Sequence, residues 1–376
     1  MSAVEIRAAR RTAVVPRGGA FRDVEAFALA AALIGPVLAD AGIAPEAVDE
    51  LILGNALSGG GNVARVAALA AGLPAGVPAS TLDTQCCSGL DAIRLGAARI
   101  AAGEARCVLA GGVESFSRAP LRAHRPRIKD EAPAFYRQPA FTPWPEREPD
   151  LADAAAALAR LEHVTRAEQD AFAAESHRRA LAAPPTEEIV PVEGVVADPF
   201  ARRLSPALLA RLPALAGEAA YAVTAATTAV EADAAALVLL VPAGTCGVRI
   251  AGALACGGDP MMPALAPVAA VQALCARLGL RAAEVEQVEL MEAYAVQALV
   301  AIRRLGLDPA RVNARGGALA RGHPIGASGA ILAVRAFHRL RAARGRALLA
   351  IAGAGGIASA MVLSRGETEP GSPWQD

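Results

Sequence analysis

The chain has 376 residues, enough for two domains or one large α/β unit with a sizeable buried core. Hydrophobic residues at 54% against 20% charged exclude a mainly disordered chain, and 37 basic against 37 acidic residues leave no net field to hold a nucleic acid or an anionic membrane surface. No apolar run reaches the roughly 18 residues of a bilayer span, MSAVEIRAARRTAVV lacks the apolar core of a secretion signal, and the six cysteines form no C-x-x-C pair, so a soluble chain in a reducing cytoplasm is expected.

In chain order, VEAFALAAALIGPVLADAGIAPEAVDELILGNAL reads as an amphipathic helix, a short acidic connection and a strand. TQCCSGLDAIRLGAARIAAGEARCVLAGGVES then runs from an extended segment through small residues into a second helix and a buried strand. Residues 119–185 break this pattern. Their first part is rich in Pro and Arg, and TRAEQDAFAAESHRRA follows, where Thr165 and Glu168 fit a capping box and Ala171, Phe172 and Ala174 offer a weak apolar face. EEIVPVEGVV is strand-like again, and YAVTAATTAVEADAAALVLLVP closes the first half.

The second half repeats the first. PVAAVQALCARLGLRAAEVEQVELMEAYAVQAL reads as the same helix, connection and strand, with Val285 on Val48. The same interval of 237 positions puts His323 on Cys86. The organisation predicted is a first half at 1–118 and 186–245, a loop domain at 119–185, a second half at 246–365 and a flexible tail at 366–376. Small-residue turns before helices and continuous apolar strands are the pattern of a covered sheet in an α/β protein.

Cys86 stands at the start of a helix, where the dipole and unpaired N–H groups favour a thiolate and hence a nucleophile. Cys87 reads as a small buried hydrophobe. His323, in the Gly-dense GGALARGHPIGASGA turn, suits a general base or an oxyanion donor. His124, His163, His177 and His338 have polar or charged neighbours and read as solvated. The clusters AGGVES and AGAGGIASAM let backbone approach a ligand or simply pack. No phosphate-loop motif, metal-ligand cluster or G-x-S-x-G elbow is present.

These segments, together with CGGDPMMPALAPVAAV and MEAYAVQAL, resemble the ordered blocks of the thiolase family over nearly the whole chain. The resemblance implies an α/β fold of two similar βαβαβαββ halves in five layers, α/β/α/β/α, with a loop domain over the substrate and a homodimer or homotetramer. It implies no cofactor, only a coenzyme A or carrier-protein thioester as substrate. It assigns Cys86 as the residue that accepts an acyl group and His323 as the one that activates it, with backbone N–H groups of Cys86 and Ala354 as oxyanion donors.

Other positions depart from the family pattern. Asn-Glu-Ala-Phe is replaced by Met291-Glu292-Ala293-Tyr294, which removes one polarising amide and leaves Glu292 as a positioning group. The family's second cysteine, which moves the proton in carbon–carbon bond formation, is replaced by Ala352. Gly-Asn-Ala-Ser near the pantetheine path becomes Ala226-Thr227-Thr228-Ala229, and Asp150 begins a stretch that is His-Met-Gly in the family. Arg122 and Arg125 are candidate contacts for a coenzyme phosphate. The expectation is an acyltransferase that works through an acyl-cysteine and passes the acyl group to an acceptor needing no second cysteine. The alternatives are a non-catalytic scaffold subunit and an ordinary 3-ketoacyl-CoA or acetoacetyl-CoA thiolase.

Overall fold

A computed structural model describes residues 3–244 and 247–366. Cys246 and the predicted tail from residue 367 onward lie outside the described residues. The first half runs β1 (Val4–Arg11), α1 (Ala26–Ala41), β2 (Glu50–Gly54), α2 (Val63–Ala70), β3 (Ala79–Leu82), α3 (Ser88–Ala101) and β4 (Val108–Glu114). An exposed hairpin of Arg122–His124 with Ala134–Tyr136, then α4 (Leu151–Leu161), α5 (Arg166–Ala182) and short α6 (Pro206–Arg211), precede β5 (Ala232–Pro242). The second half is β6 (Val248–Gly257), α7 (Ala266–Leu278), β7 (Gln287–Leu290), α8 (Ala295–Leu305), α9 (Ile325–Ala342), β8 (Gly345–Gly353) and β9 (Ile357–Arg365).

These strands lie in the order β7-β8-β9-β6-β1-β5-β4-β2-β3. The two halves join where β1 meets β6 through Glu5↔Arg249 and Ile6↔Val248. Helices α1 and α2 cover one outer face, α3 and α9 pack side by side between the two sheet halves, and α7 covers the other outer face with α8 beside it. The result is five layers. Apolar runs such as VLAG in β4 are buried throughout because both sheet faces are covered.

The repeat holds in register. Ser88 and Ile325 begin α3 and α9, and Val108 and Gly345 begin β4 and β8, each pair at the Cys86–His323 interval. Helices α1 and α7 both stop at a left-handed glycine, Gly42 (φ 66°) and Gly279 (φ 63°). The halves differ at one strand. Where the first half has β3, the second has, among the described residues, a single bridge from Val312 to Val288. Asn313 (φ 44°) and Gly316 (φ 74°) turn the chain away there.

Three local expectations are corrected. EEIVPVEGVV makes only the isolated bridges Arg11↔Ile189 and Val192↔Val195, because Glu193 (φ 48°) and Gly194 (φ 74°) break the run. In α5 the capping box of Thr165 and Glu168 forms, but the buried face is Gln169, Ala173, Ser176 and His177, while Ala171 is exposed. His124 and His163 are solvated as expected, whereas His177 is buried and accepts from Arg202 N at 3.2 Å, and half-buried His338 bonds Ala9 O at 2.8 Å. Among the described residues no helix is long and apolar enough to cross a membrane.

Candidate active site

The chain leaves β3 through a tight turn that sets Cys86 just before α3, half-buried against the central core. Gln85 takes a left-handed φ of 53°, a conformation that costs a non-glycine residue about 1–3 kcal/mol and persists only where its surroundings fix it. Here they do. Asp83 Oδ1 accepts from Gln85 N at 2.8 Å, and Ser88 Oγ accepts from Thr84 N at 2.8 Å while donating to Gln85 O at 2.5 Å. Thr84 Oγ1 donates to buried Asp91 at 2.8 Å, and Asp91 also accepts from Ser359 of β9 at 2.8 Å. Cys87, by contrast, points into the core with its sulfur 3.6 Å from Ile351 O, as expected of a buried hydrophobe.

His323 reaches the same point from the second half. Gly322 takes φ 116°, and a Cβ there would lie 2.7 Å from Ala232 Cβ, so only glycine admits this approach. His323 N donates to Val230 O at 2.7 Å, which holds the turn against the end of the first half. Its Nδ1 lies 2.7 Å from Ser328 Oγ, and that hydroxyl donates to Pro324 O at 3.0 Å. When the one hydroxyl proton goes to Pro324 O, Ser328 accepts from Nδ1, and that arrangement leaves the lone pair on Nε2. Nε2 lies 3.1 Å from Cys86 Sγ.

Small residues permit this convergence. A Cβ on Gly89 would meet Gly326 O at 2.7 Å, and one on Gly329 would meet Leu90 N at 2.6 Å, so α3 and α9 touch backbone to backbone directly behind the pair.

Electrostatics keep both partners neutral. Burial pushes the Cys86 thiol up to about 12, with Glu114 and Asp83 adding to the rise, although the N–H groups of Cys86 and Ala354 pull it down. Burial likewise drives His323 down to about 4. The thiolate expected from the helix N-terminus is therefore not the resting state: the N–H groups act as anticipated, and desolvation outweighs them.

The remaining candidates fall into distinct places. Ala354 directs its N–H at the Cys86 sulfur, and half-buried Ala352, next to last in β8, lies two residues earlier. Met291 is 2% exposed, packs in the central core and donates its N–H to Ala350 O at 3.0 Å. Glu292 is buried and saturated, accepting from Asn313 Nδ2 (2.6 Å), Ser176 Oγ (2.8 Å) and Leu319 N (3.2 Å), so it ties α5 to the turn before His323. The Tyr294 phenol, raised by burial, also feels Asp150 and Cys86. Ala226 is buried, Ala229 N donates to Ala293 O at 2.9 Å, and the Thr227 hydroxyl is spent on Thr224. Arg122 donates to Ala56 O at 2.8 Å, and Arg125 is exposed.

Residues that the sequence reading passed over also shape the site. Ser328 sits five positions after His323 in the GASG run, and Glu114 is the acid of AGGVES, a cluster read there only for its glycines. The signal for Ser328 was its place in the first turn of the helix that follows His323. A lone acid at the end of an apolar strand was the signal for Glu114.

Comparison with known proteins bears on the whole chain. The sequence model described as thiolase, N-terminal domain, matches residues 4–244, and that described as thiolase, C-terminal domain, matches 244–365. An acetyl-CoA acetyltransferase of Pseudomonas aeruginosa is 37% identical over 394 residues, covering 95% of this chain and 98% of that protein. A probable acetyl-CoA acyltransferase of Staphylococcus aureus is 35% identical over 393 residues, covering 97% and 100%. Among solved structures, an acetyl-CoA acetyltransferase of Bacillus anthracis superposes with a TM-score of 0.87 at 29% identity over 97% of this chain and 99% of that one. A thiolase from Ascaris suum in complex with coenzyme A gives 0.89 at 30% identity over 96% and 100%.

Proposed function

The chain belongs to the thiolase family of acyltransferases, and on that premise we propose that Cys86 takes an acyl group from a coenzyme A thioester, with His323 as its base. The observation that carries this reading is the 3.1 Å contact between Cys86 Sγ and the lone-pair nitrogen of His323. As Sγ attacks the thioester carbonyl, its proton passes to Nε2. The carbonyl oxygen becomes an oxyanion within reach of the N–H groups of Cys86 and Ala354. Collapse breaks the bond to the coenzyme sulfur, which leaves with the proton from Nε2, and an acyl-cysteine remains.

The acyl group then passes to an acceptor that needs no proton removed by residue 352. Ala352 has no group that moves a proton, and Met291 presents none. Suitable acceptors are a carbanion made by decarboxylation, an acidic enol, an amine, a hydroxyl or water. The reading includes a cytoplasmic homo-oligomer, and for the oligomer the support is β3, which ends the sheet with no further strand beyond it among the described residues.

The test is intact mass after brief incubation with acetyl-, malonyl-, 3-ketoacyl- and longer acyl-CoAs. An adduct that Cys86→Ala abolishes supports the reading and names the donor, and full turnover by Cys86→Ala refutes it. A second reading, an ordinary thiolase, is favoured by the names of the relatives. Cleavage of acetoacetyl-CoA by free coenzyme A at a rate typical of thiolases would establish it in place of the first.

A further inference from the structure

Glu114 ends β4 and is fully buried. Four N–H donors close on its carboxylate: Asn55 Nδ2 (2.7 Å) and Leu57 N (3.2 Å) on Oε1, and Ala56 N (3.1 Å) and Gly326 N (2.9 Å) on Oε2. A neutral acid in this pocket would have to aim its proton at a donor, so the partners select the anion even as burial pushes the group up to about 7.

Its position gives the charge a use. Gly326 lies in the first turn of α9, three residues after His323, and its carbonyl abuts Gly89, three residues after Cys86 in α3. The carboxylate thus stands where the N-terminal ends of two helices converge. Each end carries about half a positive charge, which stabilises a thiolate on Cys86 and opposes an imidazolium on His323. Burial already opposes release of the Cys86 proton, and a negative charge at this point adds to that opposition.

We propose that Glu114 is a positioning residue whose buried negative charge offsets the N-terminal ends of α3 and α9, so that Cys86 rests as a thiol against neutral His323 and loses its proton only during attack. The proposal rests on the reading of Cys86 as the nucleophile. The charged groups acting on that thiol are Glu114 from β4 and Asp83 from the preceding turn, while His323 and Tyr294 face it as neutral groups. Asp83 is exposed, so water and salt screen it, whereas Glu114 acts through protein. A resting thiol of this kind is slow to react with electrophiles other than the substrate.

The test is the pH dependence of Cys86 alkylation by iodoacetamide, read by mass spectrometry of the Cys86 peptide in the full-length protein, its Glu114→Gln variant and its Asp83→Asn variant. The wild-type midpoint is expected well above that of a free cysteine. Glu114→Gln should lower it by at least one pH unit and raise the rate at pH 7.5 about tenfold, and Asp83→Asn should move it by less than a third as much. An unchanged midpoint in folded Glu114→Gln overturns the proposal. A wild-type midpoint at or below that of a free cysteine overturns it without any variant. Intact mass after incubation of the same wild-type preparation with the acyl-CoA panel separates the two ideas: no adduct from any donor, with the shifted midpoint intact, would sink the proposed function and leave the role of Glu114 standing.

Discussion

Cys86 and His323 occupy the same position in the two halves of the fold and meet at 3.1 Å where the central helices α3 and α9 begin. A nucleophile and its base are here symmetry-equivalent residues of a repeat, one from each half. The distance between them is set by how closely two helices pack, not by a single loop.

If Ser328 fixes the tautomer of His323, removing its hydroxyl should matter more to rate than to fold. Ser328→Ala leaves Nδ1 without its acceptor and lets the ring turn or change tautomer, at a cost of about 1–3 kcal/mol for an unsatisfied buried group, or roughly 5- to 150-fold in acylation rate. His323→Ala should lose about 10²- to 10⁴-fold, the usual worth of a general base. Stopped-flow acylation by acetyl-CoA measures both. A Ser328→Ala rate equal to wild type would show that the ring is held by packing alone.

The depressed basicity of His323 predicts an unusual acid limb. Nε2 takes up a proton only as pH falls through about 4, so the base is free at every higher pH. Acylation should therefore hold level from pH 7 down to about 5, where an unperturbed imidazole near 6.5 would already be mostly protonated. A rate that halves near pH 6.5 would mean that the ring is solvated.

Stability has its own acid dependence at Arg11. This residue is 1% exposed, grips Asp198 with two nitrogens (2.7 and 3.0 Å) and donates to Glu188 at 2.8 Å, locking the 186–202 segment to β1. The pair contact with Arg11 brings Glu188 down to about 2 despite burial, and it lowers Asp198 in the same way. Stability from these acids is complete above about 4.5 and is lost as pH falls toward 2. Arg11→Met takes the paired cation from buried Glu188 and from partly buried Asp198, which keeps its bond from Val14 N, and should cost about 3–5 kcal/mol at pH 7 in urea unfolding. The gap between variant and wild type should narrow in acid, where both carboxylates take up protons, and a gap independent of pH would assign Arg11 a packing role alone.

The layered fold and the Cys86–His323 pair were legible because both are written in periodic features: helix and strand patterns repeated at a constant interval, with a chemistry-bearing residue at the same point of each copy. The resting protonation state was not legible. Residue type and helix position favour a thiolate, but burial reverses the sign, and burial is known only once α9 is seen to pack against α3. Glu292 reads in sequence as a group near the site, yet its oxygens are taken by Ser176, Asn313 and Leu319, partners 21 to 116 residues away. His177 likewise lies among charged neighbours in sequence and is buried only because the 200–202 segment folds over α5.

On the proposed reading, a cysteine at position 352 should put the carbanion step back. Ala352 is the next-to-last residue of β8, in register with Ala358, and it stands where the family pattern has its second cysteine. In D₂O the wild type should exchange the methyl protons of acetyl-CoA no faster than buffer, because no side chain at 352 accepts them. Ala352→Cys should raise exchange measurably by NMR. Adding Met291→Asn should raise it further if the buried amide finds partners, since one oxyanion donor is worth about 10²–10³ in rate. The double variant also buries an amide at a 2% exposed position, so its stability should fall by about 1–3 kcal/mol. Rapid exchange by the wild type would show that another group, with His323 Nε2 the base already at the site, takes that proton and that Ala352 has not removed the carbanion step.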